Sequence, residues 1–394
     1  MKGDAHHLNG YKLGPKPQLV DLMRKLVANI STMTKKIKSI GFFLLLAVSP
    51  ASFAQTNQEK AIEKGREAIT LMDKGQFDES IKLLKEAEKL DPKNFNYPYE
   101  MAYAYYGKAD YKEAIKILEK NKAHSDVNDR LFQLLGNSYD LSGNPEKALA
   151  AYDEGLKVFP NSGEIYLEKG NLLWAKEKYV EALEFYEKGI EVNPEFPSNY
   201  YRAARIYCHS TEEVWGMIYG EIFMNLERNS KRTAEISKLL YDTYKSQITA
   251  VNENSFSVSF SKNATITMTD AADPSKLKLP YGIGFYEPGL MTGLIFVKTI
   301  DQASLNQLRS GFVDFYMNGE NNKKYPTNLF DYQKKVKDAG HMEAYNYWVL
   351  MKGDEDGFLK WQSANKEKWE AFITWFLENQ MKVNNENKFF SGQF

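Results

Sequence analysis

The sequence predicts a mostly α protein, an α-solenoid of repeated helix pairs followed by a smaller α+β module. Three observations carry this. Residues 61–194 repeat with a period of 34 without insertion. Each repeat has apolar residues at helical spacing and polar or Pro-containing breaks between the runs. Beyond residue 250 the composition shifts, first to short alternating apolar runs and then to a dense aromatic helical stretch.

Aligned from residues 61, 95, 129 and 163, the repeats place like residues in columns. One column holds Ala68, Ala102, Gly136 and Gly170, and another, three residues on, Leu71, Tyr105, Tyr139 and Leu173. Further columns hold Phe77, Tyr111, Pro145 and Tyr179, then Ser80, Ala114, Ala148 and Ala182, then Leu84, Leu118, Tyr152 and Tyr186. Small residues let two helices approach closely, and the large residue four positions on fills the gap beside them. Pro92, Pro160 and Pro194 end the second helix of three units, because proline disfavours helical geometry in the residue before it. The second unit has Asp126 at that position.

This period and these columns resemble the tetratricopeptide repeat (TPR) family. The resemblance covers about a third of the chain and implies a right-handed solenoid over residues 55–210. A fifth unit starts at 197, where Tyr200, Ala204 and Tyr207 keep the first-helix phase. Its second half diverges: Ser210-Thr211-Glu212-Glu213 reads as a cap, and Gly216 and Gly220 stand in the small and aromatic columns. Residues 211–250 are expected to form a helical extension, including an amphipathic helix over 230–248.

Residues 251–330 read as a small β-containing module. Phe256, Val258 and Phe260 alternate with Ser, Ile266 and Met268 alternate with Thr, and two more strands are expected around Glu287-Pro288-Gly289. A helix from Ser304 to Met317 would pack on this sheet. Residues 331–383 form an aromatic helical module that holds four of the six tryptophans, broken at Gly353-Asp354 and Asn365. The tail 384–394 is expected to be disordered.

At the N-terminus, residues 33–54 read as a secretory signal peptide: Lys35, Lys36 and Lys38, then an apolar run from Ile40 to Val48, then Ser52-Phe53-Ala54. Cleavage is expected after Ala54, leaving Gln55 first. The run is shorter than the roughly 20 residues of a membrane span, so no span is expected in the mature chain. Residues 1–32 read as an upstream extension, with Met33 as the start. The expected location is the periplasm, or else the envelope or the exterior. Eight of the 51 Lys and Arg and two of the 52 Asp and Glu lie in residues 1–54, leaving 43 basic against 50 acidic residues. That balance gives no reason to expect nucleic-acid binding. The single cysteine, Cys208, precludes an intramolecular disulfide and reads as a small apolar residue.

No catalytic constellation is present: there is no GxSxG, HExxH, P-loop or CxxC. The five histidines have no partners at metal-ligand spacing. No cofactor or metal is expected, and neither is an enzyme. In the tetratricopeptide family the first helix of each repeat lines a concave groove that receives a peptide. Carried onto this chain, the resemblance implies a partner-binding groove of Tyr99, Tyr103, Tyr106, Arg130, Gln133, Asn137, Asp140, Asn171, Trp174, Tyr201 and Arg205. Asn137 and Asn171 match the members that clamp a C-terminal carboxylate, but Tyr99 and Glu164 stand where those members have Lys. The expected function is exported protein–protein interaction or scaffolding, with a protein or peptide as partner. Two alternatives stay open: an envelope or glycan-binding module using the C-terminal aromatics, and an enzyme in 251–330 recruited by the repeats.

Overall fold

Ten helices pair off along the repeats. In the computed structural model, which describes residues 56–252, 255–262, 279–294 and 297–394, the pairs are α1 (Asn57–Asp73) with α2 (Phe77–Leu90), α3 (Asn96–Gly107) with α4 (Tyr111–Asn121), and α5 (Asp129–Leu141) with α6 (Pro145–Val158). They continue with α7 (Gly163–Ala175) and α8 (Tyr179–Val192), then α9 (Pro197–Tyr207) and α10 (Glu213–Leu226). The signal-peptide segment, its cleavage residues Ala54 and Gln55, and the Ile266–Met268 run lie outside the described residues.

The turn inside each pair recurs with the period. Gly75, Ala109, Gly143 and Glu177 all take left-handed backbone, with φ of 75°, 62°, 81° and 59°. The next amide, of Gln76, Asp110, Asn144 and Lys178, donates back to the carbonyl of Leu71, Tyr105, Tyr139 and Leu173. This satisfies orphan carbonyls at the helix end. The second helices stop where proline requires it: Asp91, Phe159 and Asn193 have ψ of 73°, 70° and 74° and precede Pro92, Pro160 and Pro194.

The small and large columns fit each other by volume. Ala68 faces a core with Leu84, and Ala102 shares one with Leu118. Where the large residue is tyrosine, the small one is glycine: a methyl group on Gly136 would collide with the Tyr152 ring, and one on Gly170 with the Tyr186 ring. The phenols reach past the glycine to the next residue. Tyr186 donates to Asn171 Oδ1 at 3.1 Å, and Tyr152 donates to Asn137 Oδ1.

The fifth unit keeps its second helix, and its two glycines have separate reasons. At Gly216 a methyl group would stand 2.6 Å from the Cys208 backbone nitrogen. At Gly220 the space of the missing aromatic is taken by Ile236 and Leu240 of α11 (Lys231–Gln247). The cap before α10 is not a side-chain capping box; instead Ser210 Oγ accepts from Glu212 N at 3.0 Å. α11 begins 34 residues after α9, which begins 34 after α7. It therefore stands as the first helix of a sixth unit.

After α11 come β1 (Ile248–Asn252) and β2 (Ser255–Val258), an antiparallel pair and the only sheet among the described residues. The two strands expected around Glu287-Pro288-Gly289 are not formed. Residues Gly282–Tyr286 make a π-helical turn that runs into α12 (Glu287–Met291). Tyr281, Phe285, Tyr286 and Leu290 fall on one buried helical face, a spacing that the glycines between them disguise. Pro288 sits in the first turn, where a missing N–H is tolerated. Then follow α13 (Gln302–Met317), α14 (Asn321–Lys324), α15 (Asn328–Asp338), α16 (Met342–Val349), α17 (Glu355–Ala364) and α18 (Lys366–Glu378).

One continuous apolar cluster runs from Leu167 of the fourth unit to Phe389 near the C-terminus. The module therefore closes the open end of the solenoid, as a capping unit must. Its backbone turn lies directly on α11: Lys352 N donates to Ser237 Oγ at 3.0 Å, and Gly353 leaves room for the Tyr241 ring. At the centre Glu221 of α10 holds Arg309 of α13 through two parallel bonds, both 2.7 Å, with 4% of each side chain exposed. Gln333 (2.6 Å) and the Tyr345 hydroxyl (2.8 Å) donate to the same carboxylate, while Arg309 also donates to Asn346 (2.7 Å) and Tyr244 (3.1 Å). Burial works against the Arg309 charge, yet the adjacent carboxylate outweighs it and holds the guanidinium pKa above its ordinary value.

The expectation of a disordered tail is also corrected. Phe389 is 1% exposed, Ser391 N donates to the Tyr219 hydroxyl at 2.8 Å, and Lys388 Nζ donates to the Glu191 carbonyl at 2.9 Å. The polar composition that reads as disorder makes a local turn: Asn384 Oδ1 accepts from Glu386 N and Asn387 N at 2.8 and 3.2 Å.

Three measurements by chemical denaturation check this description. Gly170→Ala should destabilise by about 1–3 kcal/mol through overpacking on Tyr186, and adding Tyr186→Leu, which rebuilds the Ala–Leu pair of the first two units, should recover most of it. Glu177→Gly should stabilise by about 1 kcal/mol, the usual penalty of left-handed backbone for a side chain. Arg309→Ala should destabilise by about 3–5 kcal/mol, because Glu221 would be left buried without its partner.

Candidate binding groove

The first helices α3, α5, α7, α9 and α11 stand side by side, so equivalent positions in successive units form rows across one face. The rows are visible as contacts about one period apart. Gln133 donates to Glu168 Oε1 at 3.0 Å, Arg232 donates to Ser198 Oγ at 3.0 Å, and the Tyr201 hydroxyl donates to Glu235. The last two pairs are separated by 34 residues.

The expected residues divide into two groups. Near the N-terminal side, Tyr99 is buried under Arg130, whose guanidinium lies 4.8 Å from the ring centre. Tyr103 is half-buried, and Tyr106 packs edge-on against Tyr111 at 5.7 Å. Burial pushes the Tyr106 hydroxyl pKa up to about 12, so the phenol stays neutral. Asn171 donates to Glu168 Oε2 at 3.1 Å, which makes Glu168 the meeting point of two amides. Asp140 is exposed. Asn137 and Asn171 each accept a buried tyrosine hydroxyl, so part of their capacity is already used inside the repeat.

On the C-terminal side Trp174 packs edge-on against Tyr179 at 5.2 Å. The guanidinium groups of Arg205 and Arg202 lie 5.3 and 5.8 Å from its indole centre. Tyr201 is buried, accepts from Arg205 at 3.3 Å and packs on Phe223 at 5.2 Å. Tyr99 and Tyr201 thus serve as floor, whereas Tyr103, Tyr106, Asp140, Trp174 and Arg205 keep exposed surface. Sequence reasoning missed Glu168, Arg202, Arg232 and Glu235. The 34-residue spacing from Ser198 and Tyr201 could have found the last two.

The other two candidate sites fare differently. Trp348 and Trp361 are buried, with 4% and 9% exposed, and Trp369 stands edge-on to Trp361 at 6.3 Å. They do not form an open platform for sugars. Polar side chains do converge where α10, α13 and α15 meet, around Glu221 and Arg309, but the cavity there is about 10 Å³, room for one water. Among the described residues no cluster could hold a metal ion, and no helix is long and apolar enough to cross a membrane.

Residues 68–108 match a family model described as TPR repeat, and residues 134–199 one described as tetratricopeptide repeat. No curated protein matches the chain. Among solved structures, MamA is 21% identical over 41% of this chain and 94% of its own, with a TM-score of 0.34. PilF of Pseudomonas aeruginosa is 18% identical over 48% and 85%, with a TM-score of 0.41. YrrB, described as a TPR protein with an unusual peptide-binding site, is 22% identical over 45% and 91%, with a TM-score of 0.31.

Cys208 sits in the same row as Trp174, one unit on. Burial pushes its thiol pKa up to about 12, so almost no thiolate exists at neutral pH. Iodoacetamide at pH 8 should leave the native chain unlabelled over hours and alkylate it rapidly once it is unfolded, as read by mass spectrometry.

Proposed function

The chain carries a tetratricopeptide-repeat array, and from that premise we propose that it is an exported, noncatalytic interaction protein. It receives a protein or peptide partner on the face formed by its first helices. The observation that carries this reading is the row of side chains from Tyr103 to Arg205, which alternates aromatic, amide and charged groups on one rigid face. Tyr, Trp and Arg combine large contact area with polar tips, which favours them at the energetic centres of interfaces. The capping module gives the array a closed end and holds α11 in line with α9.

The periplasm is the proposed location, resting on the charged start, apolar run and small residues of 33–54. A scaffold role also accords with the burial of Trp348 and Trp361 and with the water-sized cavity at Glu221.

The decisive test compares partners captured by the full chain with those captured by Tyr103→Ala plus Trp174→Ala. Partner recovery should fall at least tenfold for truncation of two central side chains, while the thermal transition stays in place. Unchanged capture of every partner would place the binding face elsewhere. N-terminal sequencing after expression in a secreting host should read from Gln55.

A further inference from the structure

The groove reading leaves the partner's chemistry open, and the charges on the face narrow it. Among the groove side chains of the third and fourth units, Asp140 and Glu168 are carboxylates that form no ion pair with a described residue. Asp140 has Lys176 as its nearby cation but forms no ion pair with it, and Glu168 is met by the neutral amides of Gln133 and Asn171 at 3.0 and 3.1 Å. Arg130, the cation on the first helix of the third unit, is engaged over the Tyr99 ring. One helix further on, the sign reverses. Arg205 lies over Trp174 and Tyr201 at 5.3 and 5.4 Å and forms no ion pair with a described carboxylate. Arg202 shares both rings, at 5.8 Å from each. In the sixth unit Arg232 pairs with Glu227, and Lys238 with Asp242 at 2.7 Å.

Resting on the groove reading, we infer that the partner is an extended peptide segment of mixed charge. Its Lys or Arg side chains face Asp140 and Glu168, and its Asp or Glu side chains face Arg205. Packed helices lie about 8–10 Å apart, and an extended chain advances about 3.3 Å per residue. The opposite charges on the segment are therefore about three residues apart for the step from α7 to α9, and about six for the step from α5. Trp174 and Tyr179 supply an apolar contact beside the change of sign. A uniformly acidic ligand would meet repulsion at Glu168, and a uniformly basic one at Arg205, so the arrangement selects against both.

The test uses the full chain and four labelled dodecapeptides with blocked ends, read by fluorescence anisotropy. One carries two Lys and two Glu separated by four neutral residues. One has the same composition with Lys and Glu alternating, one has four Lys, and one has four Glu. The block peptide should bind at least tenfold more tightly than the others and lose affinity as salt rises. Arg205→Glu should weaken it by about tenfold and improve the four-Lys peptide. Equal binding of all four peptides, or an unchanged affinity in Arg205→Glu, overturns the inference. If Trp174→Ala abolishes binding while charge order makes no difference, the groove stands and only the mixed-charge partner falls. If no peptide binds and the capture experiment also shows no groove dependence, both readings fall.

Discussion

The bidentate pair of Glu221 and Arg309 is the constraint on which the second half of the molecule depends. Each partner alone would be a buried charge without its counter-charge, which ties α10 to α13. The pair is held from every side: Gln333, Tyr345, Asn346 and Tyr244 come from α15, α16 and α11, and each donates or accepts within the same network. A geometry shared by five helices leaves little freedom for the module to rotate against the repeats. The surrounding aromatics supply apolar burial, but their contacts are adaptable. The directional bonds at Glu221 decide which arrangement is kept.

Along the repeats, a different constraint acts locally. Each helix pair must close to the same distance to stack on its neighbour, and the chain reaches that distance in two ways. Alanine against leucine serves the first two units, and glycine against tyrosine the next two. The tyrosine solution adds a hydrogen bond to Asn137 or Asn171. It thereby ties groove residues to the packing of the pair beneath them, so the binding face inherits its rigidity from the core.

The tail adds a third kind of tie. Ser391 reaches Tyr219 and Glu187, and Phe389 lies between Trp215 and Tyr281 at 6.0 and 5.9 Å. These contacts join the last residues to the fourth and fifth units. The C-terminus, the module and the end of the solenoid consequently share one core, and the half of the groove that carries Trp174, Tyr201 and Arg205 rests on it.

Whatever repeats at short range was legible in the sequence. The period, the helix pairs, the proline stops and the columns behind the groove follow from contacts between residues less than one unit apart, so each leaves a periodic mark. Even Glu235 and Arg232 were within reach, since they face residues one period away. What the tertiary structure alone decided arises from contacts that occur once. The Glu221–Arg309 pair spans 88 residues and the bond from Ser391 to Tyr219 spans 172. The helical state of 281–291 depends on a face buried by distant aromatics, against glycines that locally oppose it. A pairing made once at long range has no periodicity, and the same residues read alone look like ordinary surface charge, a strand or a loose tail.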